Sequence, residues 1–228
     1  MVSLAEVFAR YGPAYLRKYG SNILPSHRRA MEDMLRCRTP ELGGQVFCCD
    51  RCGYTHYVYH SCRNRSCPQC HYEQTQAWLQ ARGQELLQVP YFHVVFTVPD
   101  VLHAAIRSDQ ARLYGLLMQA AGASLIELAG DPHYVGGTVG VLAVLHTWGR
   151  TLVYHPHVHC LVPGGGLSTD AQWRPARKKY LVPEKPLSLI FRAMFRDGLA
   201  KLLPDARISP AVWKKDWVVD CTPAIQGT

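Results

Sequence analysis

The sequence predicts an α+β protein, in which a small helical and cysteine-rich module precedes a domain with a central, mainly antiparallel sheet flanked by helices. Three observations carry that prediction. Most of the nine cysteines fall in one short block. The apolar periodicity of the second part runs strand, helix, strand, strand, then helix and strand. Only about four residues separate its two central strand-like runs, a gap that favours an antiparallel hairpin. The two parts are expected to span residues 1–88 and 89–228.

Residues 1 to about 36 show helical patterning in two pieces, broken between Gly20 and Pro25, and Gly43-Gly44 opens the cysteine block. That block reads Cys49-Asp50-Arg51-Cys52, fourteen residues, then Cys67-Pro68-Gln69-Cys70: two Cys-x-x-Cys knuckles at zinc-ribbon separation. Four thiolates leave no open coordination position, so the zinc expected at Cys49, Cys52, Cys67 and Cys70 is structural. An odd cysteine count without an export signal argues for metal rather than disulfides. Cys37, Cys48, Cys62, His56 and His60 are left over; they could build a second site or be ordinary neighbours of the first, and one zinc is expected. Arg51, Arg63, Arg65, Tyr54, Tyr57 and Tyr59 lie among the cysteines, a mixture of cations and flat rings suited to phosphate contacts and base stacking. The alternative is that these rings only cover a module too small for its own core. His71–Gln88 is polar with helical spacing and is expected to connect the two parts.

The second part opens with the strand pattern Tyr91–Val98, stopped by Pro99. A helix is expected from about Asp109 to Ala129, with Leu113, Leu116, Leu117, Ala120 and Leu125 as its apolar stripe. Gly136-Gly137 then punctuates before two strands, Thr138–Thr147 and Leu152–Val162. The latter contains His155-Pro156-His157-Val158-His159, and side chains two apart share a strand face. His157 and His159 can therefore share one divalent ion. Three imidazoles in a Leu/Val-rich strand are costly unless hydrogen-bonded or metal-bound. A hairpin would place His146 opposite them as a third donor. After Gly164–Gly166 come the basic residues Arg174, Arg177, Lys178 and Lys179, a helix over Leu187–Leu203 and a strand at Trp217–Cys221.

Lys and Arg outnumber Asp and Glu by 25 to 17, a formal charge of +8 with pI near 9.1, which suits a polyanionic partner such as nucleic acid. No signal-peptide pattern stands at the N-terminus, and no apolar run is expected to reach the roughly 20 residues of a membrane span. A cytoplasmic protein without a membrane role is expected. Oligomeric state is not legible.

The segments His60-Ser61-Cys62-Arg63-Asn64-Arg65-Ser66-Cys67-Pro68-Gln69-Cys70, Leu145-His146-Thr147-Trp148-Gly149 and His155-Pro156-His157-Val158-His159-Cys160-Leu161-Val162 together resemble the rolling-circle transposases of the insertion-sequence 91 family. These are bacterial HUH endonucleases, and the resemblance spans nearly the whole chain. It implies an HUH-type nuclease domain acting on single-stranded or hairpin transposon ends, in which a tyrosine attacks a phosphodiester to leave a 5′-phosphotyrosine link and a free 3′ hydroxyl. It implies Mg²⁺ or Mn²⁺ held by His157, His159 and His146, with His155 beside the site and His93 an outside candidate. Arg63, Arg65, Arg174, Arg177, Lys178 and Lys179 would meet DNA. Family members carry a nucleophilic tyrosine pair on a helix beyond a strand like Trp217–Asp220, whereas this sequence ends at Thr228, so a C-terminally incomplete nuclease domain is expected. The alternatives are a DNA-binding remnant and a metal-dependent nuclease using water.

Overall fold

The computed structural model describes residues 3–150, 153–177 and 180–224. Its contacts divide it between Leu86 and Leu87 into two compact units. Lys178 and Lys179 lie outside the described residues.

Unit 1 begins with α1 (Leu4–Tyr19), which is started by a capping box: Ser3 accepts from the Glu6 amide and the Glu6 carboxylate accepts from the Ser3 amide. Helix α2 (Pro25–Arg36) has Pro at its first position, where no amide is required. A hairpin of β1 (Gly44–Cys48) and β2 (Thr55–Tyr59) follows, then α3 (Pro68–Gln84). The second knuckle therefore sits on the first turn of a helix, with Cys67 as N-cap and Pro68 after it, rather than in the ribbon expected. The buried cluster of this unit is Met34, Cys37 and Cys67, with Phe8, Ala30, Cys62 and Cys70 packed on it. So little apolar area cannot hold a fold alone, and cysteine makes up much of it.

Unit 2 is built on a four-stranded antiparallel sheet in the order β4-β5-β3-β8: β3 (Tyr91–Thr97), β4 (Leu142–Trp148), β5 (Tyr154–Pro163) and β8 (Val219–Pro223). Helices α4 (His103–Ser108) and α5 (Gln110–Gly130) join β3 to β4, and α6 (Glu184–Leu202) precedes β8. Alternation decides the layers. Phe92, Val94, Phe96, Val158, Cys160 and Val162 point into a core completed by Leu113, Leu117 and Leu125 of α5 and Phe191 and Phe195 of α6. The intervening residues of β3 and β5 face the other way and are only partly buried.

Two expectations need correcting. The strand expected to begin at Thr138 begins at Leu142, because Gly140 interrupts the run and Thr138 instead bridges Leu167. Helix α5 is long and apolar enough, by length and composition, to cross a membrane, because alanines and glycines fill the positions a surface helix would give to charge. Eight of its residues are buried within unit 2. Beyond β5, the short strands β6 (Gly165–Leu167) and β7 (Trp173–Pro175) pair with each other. Gly165 is required there: a Cβ would run into the Trp173 ring.

Candidate metal centres and basic surfaces

The cysteines gathered in unit 1 are Cys37, Cys62, Cys67 and Cys70, whose sulfurs all lie within 4.8 Å of one another. Cys37 Sγ is 3.6 Å from Cys70 Sγ and 3.7 Å from Cys67 Sγ, and Cys62 Sγ is 3.6 Å from Cys70 Sγ. A tetrahedron with Zn–S bonds of ~2.3 Å has edges of about 3.8 Å, so four thiolates at this spacing fit zinc. Burial pushes the Cys62 thiol up to about 12 and raises Cys37 as well. Burial also opposes ionisation of Cys70, yet the thiols of Cys37 and Cys62 and the Arg63 amide bring it down to about 7.

This corrects the expected ligand set. Cys67 and Cys70 belong to the quartet, whereas Cys49 and Cys52 lie apart from it in the turn joining β1 to β2, both exposed. The Cys49 amide donates to Tyr54 O and the Gly53 amide to Cys49 O, closing a tight turn with Gly53 at φ +69°. The amides of Cys52 and Arg51 and the Cys52 thiol lower the Cys49 thiol. Cys37 and Cys62, left unassigned by spacing, complete the quartet because the end of α2 and the exit of β2 converge on the N-terminus of α3. No fixed spacing announces that convergence, although Cys62 lies only five residues before Cys67.

In unit 2, His146, His157 and His159 offer ring nitrogens within 4.8 Å of one another. The β4–β5 register sets His146 opposite His157, and His159 follows two residues on along the same face. The His157 Nδ1–H donates to the His155 carbonyl at 2.7 Å, which leaves its Nε2 lone pair free. His146 stacks on Trp148, with ring planes 9° apart. His93 is hydrogen-bonded, Nε2 to Nδ1, to His159 at 2.7 Å, the rings stacked at 11°. With that nitrogen engaged, His159 also has Nε2 to offer. Desolvation, then the neighbouring His146, His157 and His93, bring the His159 imidazole down to about 4, which keeps it neutral as a ligand must be. Three imidazoles converging from two strands can hold one divalent ion and leave open positions for phosphate oxygens.

His155 lies against His157, ring centroids 5.2 Å apart, and meets His103 edge-on. Tyr154, on the same strand, shares a hydroxyl contact of 3.0 Å with Tyr114. Burial and that contact push its pKa up, so it is poorly suited to nucleophilic attack. Of the expected DNA contacts, Arg63 and Arg65 are exposed in unit 1, and Arg174 and Arg177 are exposed in unit 2. Arg65 also lines a groove of about 960 Å³ with His27, Arg28 and Arg29.

Two family models match successive parts of the chain: one described as "Transposase zinc-binding domain" at residues 7–98, and one described as "Putative transposase" at residues 140–228. "Putative transposase y4qJ" of Sinorhizobium fredii (strain NBRC 101917 / NGR234) is 42% identical over 206 residues, 90% of this chain and 52% of that protein. "Transposase for insertion sequence element IS801" of Pseudomonas savastanoi pv. phaseolicola is 36% identical over 143 residues, 62% of this chain and 34% of that protein. The chain thus spans about half the length of the first relative and about a third of the second. The conjugative relaxase TrwC in complex with OriT DNA, in its metal-bound structure, is 18% identical with a TM-score of 0.41, over 52% of this chain and 46% of that one. With a zinc-binding unit and a histidine-bearing unit matched in order, the chain belongs to the insertion-sequence 91 transposase family.

Proposed function

We propose that this chain supplies the zinc-held DNA-binding module and the metal-binding nuclease sheet of an HUH-type transposase that nicks and rejoins single-stranded or hairpin transposon ends. The convergence of His146, His157 and His159 on one face of the β4–β5 hairpin carries this reading. Cys37, Cys62, Cys67 and Cys70 would hold the structural zinc, and the three histidines Mg²⁺ or Mn²⁺. When bound, the divalent ion supplies Lewis-acid polarisation of a scissile phosphate. The histidines fix its position, and the sheet beneath them, packed on α5 and α6, keeps the face rigid. In the nicking step a tyrosine hydroxyl oxygen would give up its proton and bond to phosphorus as the P–O3′ bond breaks, and the departing 3′ oxygen would take up a proton to become the free 3′ hydroxyl; rejoining reverses these bonds. Arg63 and Arg65 in unit 1, and Arg174 and Arg177 with Lys178 and Lys179, would neutralise DNA phosphates. Such a protein works in the bacterial cytoplasm.

Mn²⁺ titration followed by electron paramagnetic resonance, with the His157→Ala/His159→Ala variant as control, tests the centre. Loss of the bound signal with fold and DNA affinity kept is expected; equal Mn²⁺ binding by the variant removes the nuclease reading. Labelled single-stranded DNA incubated with Mn²⁺ then identifies the nucleophile. A labelled band at protein mass places a tyrosine within these residues, while cleavage without one indicates water.

A further inference from the structure

The hairpin β1–β2 is exposed along every residue of both strands. Val46, Phe47, Tyr57, Val58 and Tyr59 range from 37% to 60% exposed, an unusual surface for a unit with so small a core. Tyr57 and Tyr59 share one face, their rings tilted only 20° apart with centroids 6.4 Å apart. That spacing is about two rises of stacked bases, each ~3.4 Å. The strand opposite presents Val46 and Gly44 to these rings, so Tyr59 has no side chain across from it.

At the end of this hairpin is a concavity of about 560 Å³, lined among others by Arg38, His56, Tyr57, Tyr59, His60 and Arg63, with no acidic residue. Arg38 (φ +58°) and Arg63 (φ +54°) are two of the three non-glycine residues with positive φ among those described. Such backbone is sparsely populated by residues with a Cβ and clusters at ligand clamps. Each of these arginines directly follows a cysteine of the quartet, Cys37 and Cys62. The Arg38 amide donates to His60 O at 3.1 Å, and the Arg63 amide approaches the Cys70 sulfur. The thiolate quartet and the arginine pair are therefore parts of one piece of backbone.

We propose that this face is a single-stranded DNA platform held in shape by the zinc site: Tyr57 and Tyr59 stack on bases, and Arg38 and Arg63 hold the phosphates beside them. Charge and ring geometry favour a single strand, because a paired duplex keeps its base faces stacked internally and offers the rings none. The inference rests on the DNA-transposase reading and extends it to a strand-binding surface distinct from the histidine sheet.

Fluorescence anisotropy of the full zinc-loaded chain with labelled (dT)20, across a series of salt concentrations, tests it. Tyr57→Leu/Tyr59→Leu should weaken (dT)20 binding about tenfold or more with the salt slope unchanged, since stacking is neutral, while Tyr57→Phe/Tyr59→Phe should bind as the parent does. Arg38→Asn/Arg63→Asn tolerates the backbone and should flatten the salt slope by about 0.7 per lost phosphate contact. Zinc content confirms that each variant is folded. Unchanged (dT)20 binding by both the leucine and asparagine variants, or tighter binding of a duplex than of (dT)20, overturns the platform. Mn²⁺ binding by the same variants reports separately on the histidine centre: its absence in the parent chain would sink the nuclease reading while leaving the (dT)20 result standing.

Discussion

His159 is held from two sides, by the ring of His93 at one nitrogen and by the open face shared with His146 and His157 at the other. When Nε2 serves a metal, Nδ1–H donates to His93, so His93 sets both the tautomer and the ring orientation of a ligand it does not replace. His93→Ala should lower Mn²⁺ affinity by roughly 10- to 100-fold, and His93→Gln, which restores an acceptor, should recover part of it. Equal affinities for alanine and parent would show that the hydrogen bond does no positioning. The same residue gives a pH signature. Unfolded, His159 takes up a proton near pH ~6.5; folded, only near about 4. The unfolded chain therefore binds more protons between these values, and the stability contributed by neutral His159 is lost as pH falls through that window. The thermal midpoint of metal-free protein should drop between pH 6.5 and 4, and drop less in His159→Asn; parallel curves would refute the assignment.

At the level of elements, the end of α2, the exit of β2 and the start of α3 meet at the four sulfurs, so the quartet stands in for a core that these short elements cannot build. Cys37→Ser or Cys62→Ser should strip the chain of zinc and of the helical signal from unit 1. Cys49→Ser/Cys52→Ser, in the exposed hairpin turn, should leave zinc at about one per chain with closed four-thiolate coordination. Metal analysis decides: loss of zinc in the hairpin pair and retention in the Cys37 variant would restore the ribbon expected from spacing. The β4–β5 hairpin illustrates the opposite case. Its short connection and alternating pattern set pairing, face and the opposition of His146 to His157 in one step.

At the scale of the whole molecule, the two units stabilise themselves by different means, one by sulfur chemistry and one by an apolar core that includes the fully buried Phe96, Phe191 and Phe195. A chelator should abolish the thermal transition of unit 1 and leave that of unit 2 in place, whereas Phe96→Ala should cost unit 2 about 3–5 kcal/mol and leave zinc bound. A single transition lost whole on chelation would contradict independent stabilisation. The sequence by itself determined the α+β class, the antiparallel pairing of the histidine strand and the presence of a cysteine metal site, because strand alternation, short connections and residue chemistry act over a few neighbouring positions. Only the tertiary structure decided which four cysteines meet, that His93 backs His159 across a strand pair 66 residues apart, and that Arg38 joins Arg63 beside the tyrosines. These are long-range convergences. They are set by how separate elements pack, and no local period encodes them.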